Sequence, residues 1–229
     1  MKSNIPLPDP DHSPLLKDFS ADSPHLLAAF GGYFGGGIPP FEFSSVSEQA
    51  SVKKLYVRDF RRAVYHAGLP GLSTDIPSTV KVLQELIRES GATKVTFIGN
   101  SQGGFGAILL GAMLNVDYVH AFSSQTFADP INRWKYKEKR WPHVAIQLYA
   151  RSLFKKKYYD LRKVLGTLEY KTQFHLHFGL KDPMEKVNAE HLRGVKGVSL
   201  HEYPLSKRAL LKHMVDSGLF DKILRGEDF

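Results

Sequence analysis

The feature that most limits what this chain can fold into is Gly99-Asn100-Ser101-Gln102-Gly103. The β-rich run KVTFIG at 94–99 leads into it, and a small, apolar helical pattern at 103–114 leads out. A serine on such a strand–turn–helix corner is raised above the end of a sheet. The flanking glycines let the two backbones approach, and the turn forces the serine into strained dihedral angles. The first N–H groups of the helix then point at any anion that forms beside the hydroxyl.

The rest of the chain supplies the sheet that this corner needs. Strands are expected at 25–30, 54–60, 94–99, 118–123, 173–178 and 197–203. Helices are expected at 76–90, 103–114, 186–192 and within 206–224, with Gly91 stopping the first of them. Residues 1–24, rich in Pro, Asp and Ser, read as an irregular lead-in. Strands alternating with helices predict an α/β fold: a mostly parallel sheet with helices on both faces, in a single domain over 1–229.

Composition narrows the function classes. The 229 residues are 42% apolar and 24% charged, as in a globular domain rather than a disordered one. With no cysteine, disulfide frameworks and thiolate chemistry are excluded. No histidine spacing suits a metal, and neither metal nor cofactor is expected. The glycine-rich loop at 31–37 lacks the Lys-Ser/Thr ending of a phosphate-binding loop. No apolar run is long enough for a membrane span, and no basic-then-apolar leader opens the chain, so a cytoplasmic protein is expected.

The net charge of +8 is local. Residues 127–172 hold 12 Lys+Arg against 4 Asp+Glu, and the remainder is balanced. The basicity belongs to one excursion, so nucleic acid is not an expected partner.

With its corner serine, the sequence resembles the α/β-hydrolase superfamily. That resemblance implies the order nucleophile, acid, histidine. Ser101 takes the first place. Asp182, in Gly179-Leu180-Lys181-Asp182-Pro183 after a late strand, takes the second. His213, ten residues past the last strand, takes the third, with His201 as a competitor and His175 and His177 read as structural. Oxyanion donors would be the N–H of Gln102 and, from Phe30-Gly31-Gly32-Tyr33, that of Gly32 or Tyr33; Phe30 stands where the family usually has histidine.

Further segments, the FGG loop, VRD at 57–59 and YHAGLPG at 65–71, are similar to bacterial α/β-hydrolase-like proteins linked to polysaccharide biosynthesis. The superfamily resemblance also makes 127–172 a lid over the nucleophile. Its aromatics (Trp134, Tyr136, Trp141, Tyr149, Phe154, Tyr158, Tyr159) suit either an apolar acyl pocket or a small core of the lid itself.

The expected function is therefore a serine hydrolase that cleaves a carboxylic ester or thioester through an acyl-enzyme. Its substrate would be a small molecule, anionic or carrier-bound if the lid's charge is used. An acyltransferase with the same triad, or a non-catalytic glycan- or partner-binding protein, are the alternatives, and the oligomeric state is left open.

Overall fold

The computed structural model describes residues 12–140, 142–151 and 156–227. Seven strands form one sheet: β1 (Leu15–Asp18), β2 (His25–Phe30), β3 (Lys53–Val57), β4 (Lys94–Asn100), β5 (Tyr118–Phe122), β6 (Gln173–Gly179) and β7 (Val198–Tyr203). They lie in the order β1-β3-β2-β4-β5-β6-β7, with β1 antiparallel to β3 and every other pair parallel. The helices are α1 (Ser44–Ser47), α2 (Ile76–Ser90), α3 (Gln102–Leu114), α4 (Pro130–Lys135), α5 (Pro142–Arg151), α6 (Leu161–Leu165), α7 (Pro183–His191), α8 (Lys207–Asp216) and α9 (Leu219–Arg225).

Because side chains alternate across a strand, the wholly buried β2 feeds two cores. Leu26, Ala28 and Phe30 pack with α2, α3 and α6 on one face. Leu27 and Ala29 pack with Leu210 and Met214 of α8 and Phe220 and Ile223 of α9 on the other. The central α3 is buried on every side from Gln102 to Ala112, which explains its uniformly small and apolar sequence.

Local chemistry sets the ends of α2. Asp75 and Ser78 form a reciprocal capping box at its start, and Gly91, at φ 63°, closes it in the left-handed conformation.

Two expectations are corrected. The lead-in contains β1, whose four residues borrow their ladder from β3 (Leu15 opposite Val57, Asp18 opposite Lys54) and carry too little pattern to stand out alone. The final helical stretch is two helices, α8 and α9, because Gly218 at φ 72° turns the chain between them.

Between β5 and β6 the chain leaves the sheet and carries α4, α5 and α6. The two stems of this excursion are pinned together: Ala128 N–H donates to Tyr159 O at 2.7 Å and Leu161 N–H to Thr126 O at 3.0 Å. Asp160 locks the neck further, accepting from Asn132 Nδ2 at 2.9 Å and lying 2.8 Å from His191 Nε2. Despite its burial, these partners hold the Asp160 carboxyl down at about 2. Among the described residues no helix is long and apolar enough to cross a membrane.

Candidate active site

The corner after β4 has the expected form. Ser101 sits between β4 and α3 at φ 55°, ψ −115°, a conformation that costs a non-glycine residue about 1–3 kcal/mol. Its surroundings hold it there. Ser101 N–H donates to Phe122 O at 2.9 Å, and Ser101 O accepts from Phe105 and Gln125. The close approach is unforgiving: a Cβ on Gly103 would lie 2.1 Å from Phe30 O, and one on Gly99 2.3 Å from Gly103 O. Gln102 is buried, and as the first residue of α3 its N–H has no intrahelical acceptor.

The glycine loop lies beside it. A Cβ on Gly32 would come within 3.7 Å of Ser101 Cβ. Gly32 N–H, however, donates to Glu42 Oε2 at 2.7 Å, while Glu42 Oε1 accepts from Asn100 Nδ2 at 2.7 Å. The Gly32 donor is thus occupied by a carboxylate of the protein itself; Tyr33 follows, half-buried.

Behind this loop stands the VRD and YHAGLPG segment. Asp59 gathers the N–H groups of Arg61, Ala63 and Tyr65 at 2.8–3.1 Å. That winding puts Arg62, Val64 and Tyr65 at positive φ, and aims the Tyr65 hydroxyl at Gly31 O, 2.8 Å away. Burial pushes the Asp59 carboxyl up, against the pull of those amides.

The residue that meets the Ser101 hydroxyl is Lys207: its Nζ lies 3.1 Å from Ser101 Oγ. Lys207 is the first residue of α8 and follows the end of β7 by four positions. Burial pushes its ammonium below the ordinary lysine range. Glu185, Asp182 and Glu42 oppose that shift through their charges, and Arg140 reinforces it.

Glu185 on α7 is buried, and its Oε2 accepts from Gly179 N–H at 2.8 Å. Burial raises its carboxyl above the ordinary range, with the Gly179 amide acting the other way.

The structure places Asp182 on the loop after β6, within Coulombic reach of Lys207, where its carboxylate caps α7 by accepting from Met184 N–H at 2.9 Å. His213 lies on α8, exposed, its ring edge-on to Tyr203 at 5.8 Å. Among the described residues no hydrogen bond joins His213 to Ser101 or to Asp182. The structure therefore brings Ser101, Gln102 and Gly32 together, adds Lys207, Glu42 and Glu185, and leaves His213 apart. No motif in the sequence singled out Lys207, which stands between Ser206 and Arg208 a few positions behind the last strand.

Four further histidines, His120, His175, His177 and His201, form a ladder across β5, β6 and β7. His120 Nδ1 is 3.1 Å from His177 Nε2, and His175 Nδ1 is 3.0 Å from His201 Nε2; the His177 and His201 rings stack at 4.7 Å. Parallel register puts them there, pairing His120 with His175 and His177 with His201.

Over the site, Val64, Gln102, Gln125, Ala128, Arg133, Ala145 and Leu148 enclose a narrow cavity between corner and excursion. The aromatics of the excursion divide. Tyr159 is buried, Tyr149 donates its hydroxyl to Ala128 O, and Tyr136 packs on Phe127. Trp134 is 83% exposed beside Arg133, Lys135, Lys137 and Lys139. Trp141 and Phe154 lie outside the described residues.

No protein-family model matches the chain, and no curated protein matches it by sequence. Solved structures do. The capsule O-acetyltransferase of Neisseria meningitidis serogroup A is similar with a TM-score of 0.69 at 16% identity, over 92% of this chain and 90% of that one. MGS-MChE2, an α/β hydrolase enzyme from the metagenome of lagoon sediments of Mar Chica, Morocco, gives 0.59 at 19% identity over 94% and 95%. MenH from S. aureus gives 0.56 at 13% identity over 93% and 96%.

Proposed function

The chain has the α/β-hydrolase fold, and on that premise we propose that it transfers an acyl group from a carboxylic ester or thioester through a covalent intermediate on Ser101. The observation that carries this reading is the strained φ of Ser101 at the strand–helix corner. A fold that spends stability to hold one hydroxyl at the N-terminus of a buried helix gains nothing structural from it. The N–H of Gln102 and the dipole of α3 then stabilise the tetrahedral oxyanion, each such donor contributing about 2.7–4 kcal/mol in acyl transfer.

Water or a second hydroxyl would take the acyl group. The likeness to a capsule O-acetyltransferase favours a sugar hydroxyl as acceptor, and the basic residues of the excursion suit an anionic or carrier-bound substrate. A non-catalytic reading draws on the Glu42 carboxylate at the Gly32 amide, since it opposes a second negative charge there.

Hydrolysis of p-nitrophenyl acetate to decanoate, wild type beside Ser101→Ala, separates these readings. Turnover that vanishes in the variant supports the nucleophile, and a rise in acetyl consumption on adding a polysaccharide acceptor supports transfer. No turnover and no covalent fluorophosphonate label in the wild type would establish the binding protein instead.

A further inference from the structure

We propose that Lys207, rather than His213, is the base that takes the proton from Ser101. The proposal rests on the nucleophilic reading of Ser101 given above. It starts from the contact itself: Nζ lies 3.1 Å from Oγ, inside hydrogen-bond range and without an intervening group. His213 has no such path. It is exposed on the same helix, six positions further along and against Tyr203.

A lysine serves as a base only when neutral, and its surroundings bear on that state from every side. Half-buried, the ammonium loses hydration. It lies at the N-cap of the 13-residue α3, where the positive end of the helix disfavours a cation. Arg140, from the excursion, adds repulsion. Against these stand the carboxylates of Glu185 on α7, Asp182 on the β6–α7 loop and Glu42 on the loop before α1. Burial is the largest of these influences. The carboxylates have a second use, because they stabilise the ammonium once the proton has arrived, the part that an acid plays behind a histidine.

Lys207 and Ser101 between them carry every proton that the reaction moves. The Ser101 O–H bond breaks toward Nζ while Oγ bonds to the acyl carbon and the carbonyl π pair moves onto oxygen. When that species collapses, the bond from carbon to the leaving alkoxide or thiolate breaks, and the ammonium protonates the leaving group. The incoming water or alcohol then gives its proton to Nζ as its oxygen bonds to the acyl carbon. On the second collapse that proton returns to Ser101 Oγ, and Lys207 is neutral again.

The test is the rate of covalent labelling by an alkyl fluorophosphonate, together with the p-nitrophenyl acetate burst, in the full chain and in Lys207→Ala, Lys207→Met, Lys207→Arg and His213→Gln. Lys207→Arg keeps the positive charge but cannot lose its proton, so a role in charge or packing survives it and a base does not. The expected result is a loss of roughly 10²–10⁴-fold in all three Lys207 variants. Ethylamine in solution should restore part of the rate to Lys207→Ala, and His213→Gln should stay within about threefold of wild type. The wild-type pH profile should rise through a limb that Lys207→Arg lacks. Matching circular dichroism spectra and melting curves identify folded variants, and Lys207→Met and Lys207→Arg stand in if the alanine variant unfolds. A labelled wild type whose Lys207→Arg or Lys207→Met reacts at the same rate overturns the base and leaves Ser101 as nucleophile. A wild type that takes no label overturns the nucleophile, and the base with it.

Discussion

Glu42 Oε2 lies 2.7 Å from the amide nitrogen of Gly32, the N–H that this fold would turn toward an oxyanion. Two negative charges about 4 Å apart repel by roughly 4 kcal/mol at an effective dielectric constant near 20. Glu42→Gln removes one of them and keeps an acceptor for Gly32. Fluorophosphonate labelling should accelerate by roughly tenfold, well inside that bound. Slower labelling would show that the carboxylate serves the loop as a support and obstructs nothing.

The strain at Ser101 gives a second expectation. Ser101→Gly should raise the unfolding free energy by about 1 kcal/mol, because glycine adopts a positive φ without a Cβ penalty. The same variant should take no label. Urea denaturation provides the number, and an unchanged or lowered midpoint would mean that the corner stores no strain.

How this corner could be read from sequence, while its partners could not, is itself a physical matter. The constraints on Ser101 are local: two glycines, a strand and a small-residue helix within about twenty positions. Lys207 and Glu42 belong to no motif; Lys207 reaches Ser101, and Glu42 reaches the neighbouring Gly32 and Asn100, only because α8 and the loop before α1 converge on the corner. The histidine ladder depends on register. His120, His175 and His201 become neighbours only once β5, β6 and β7 pair in parallel. Edge strand β1 borrows its order from β3, so four residues alone could not announce it.

That ladder should make stability pH-dependent. Burial, and then the charges of neighbouring histidines, push His120 and His177 well below the ordinary histidine value. The unfolded chain therefore binds protons below about pH 6.5 that the folded chain refuses, so stability is complete above that pH and falls as acid is added. Between pH 7.5 and 5.5 these two rings alone should remove about 2–3 kcal/mol. Urea midpoints at the two pH values measure it, and His177→Gln should flatten the average slope between them by about half a proton.

Gly103→Ala tests how tightly α3 meets the sheet. The new Cβ would fall 2.1 Å from Phe30 O, backbone against backbone, with no flexible atom to yield. A loss of about 1–3 kcal/mol or more in urea denaturation is expected. A variant as stable as wild type would show that helix and strand can part without penalty.

The basic face around Trp134 predicts a salt effect. If Arg133, Lys135, Lys137 and Lys139 gather an anionic substrate, kcat/KM for an anionic ester should fall several-fold between 50 and 500 mM salt, while a neutral ester stays level. Equal behaviour of the two esters would remove the excursion's charge from substrate capture.

The pinned neck of the excursion carries a consequence for how such a chain can change over time. Thr126 N–H donates to Asn188 Oδ1, Asp160 lies 2.8 Å from His191 Nε2, and Thr126 O accepts from Leu161, so both stems are tied to α7 as well as to each other. Whatever lies between Phe127 and Asp160 need only bring its two ends to that one bridge, and closing a longer loop there adds little entropic cost. The neck is a splice point. Segments of other lengths could be exchanged across it, altering what reaches Ser101 while the corner that holds the serine stays as it is.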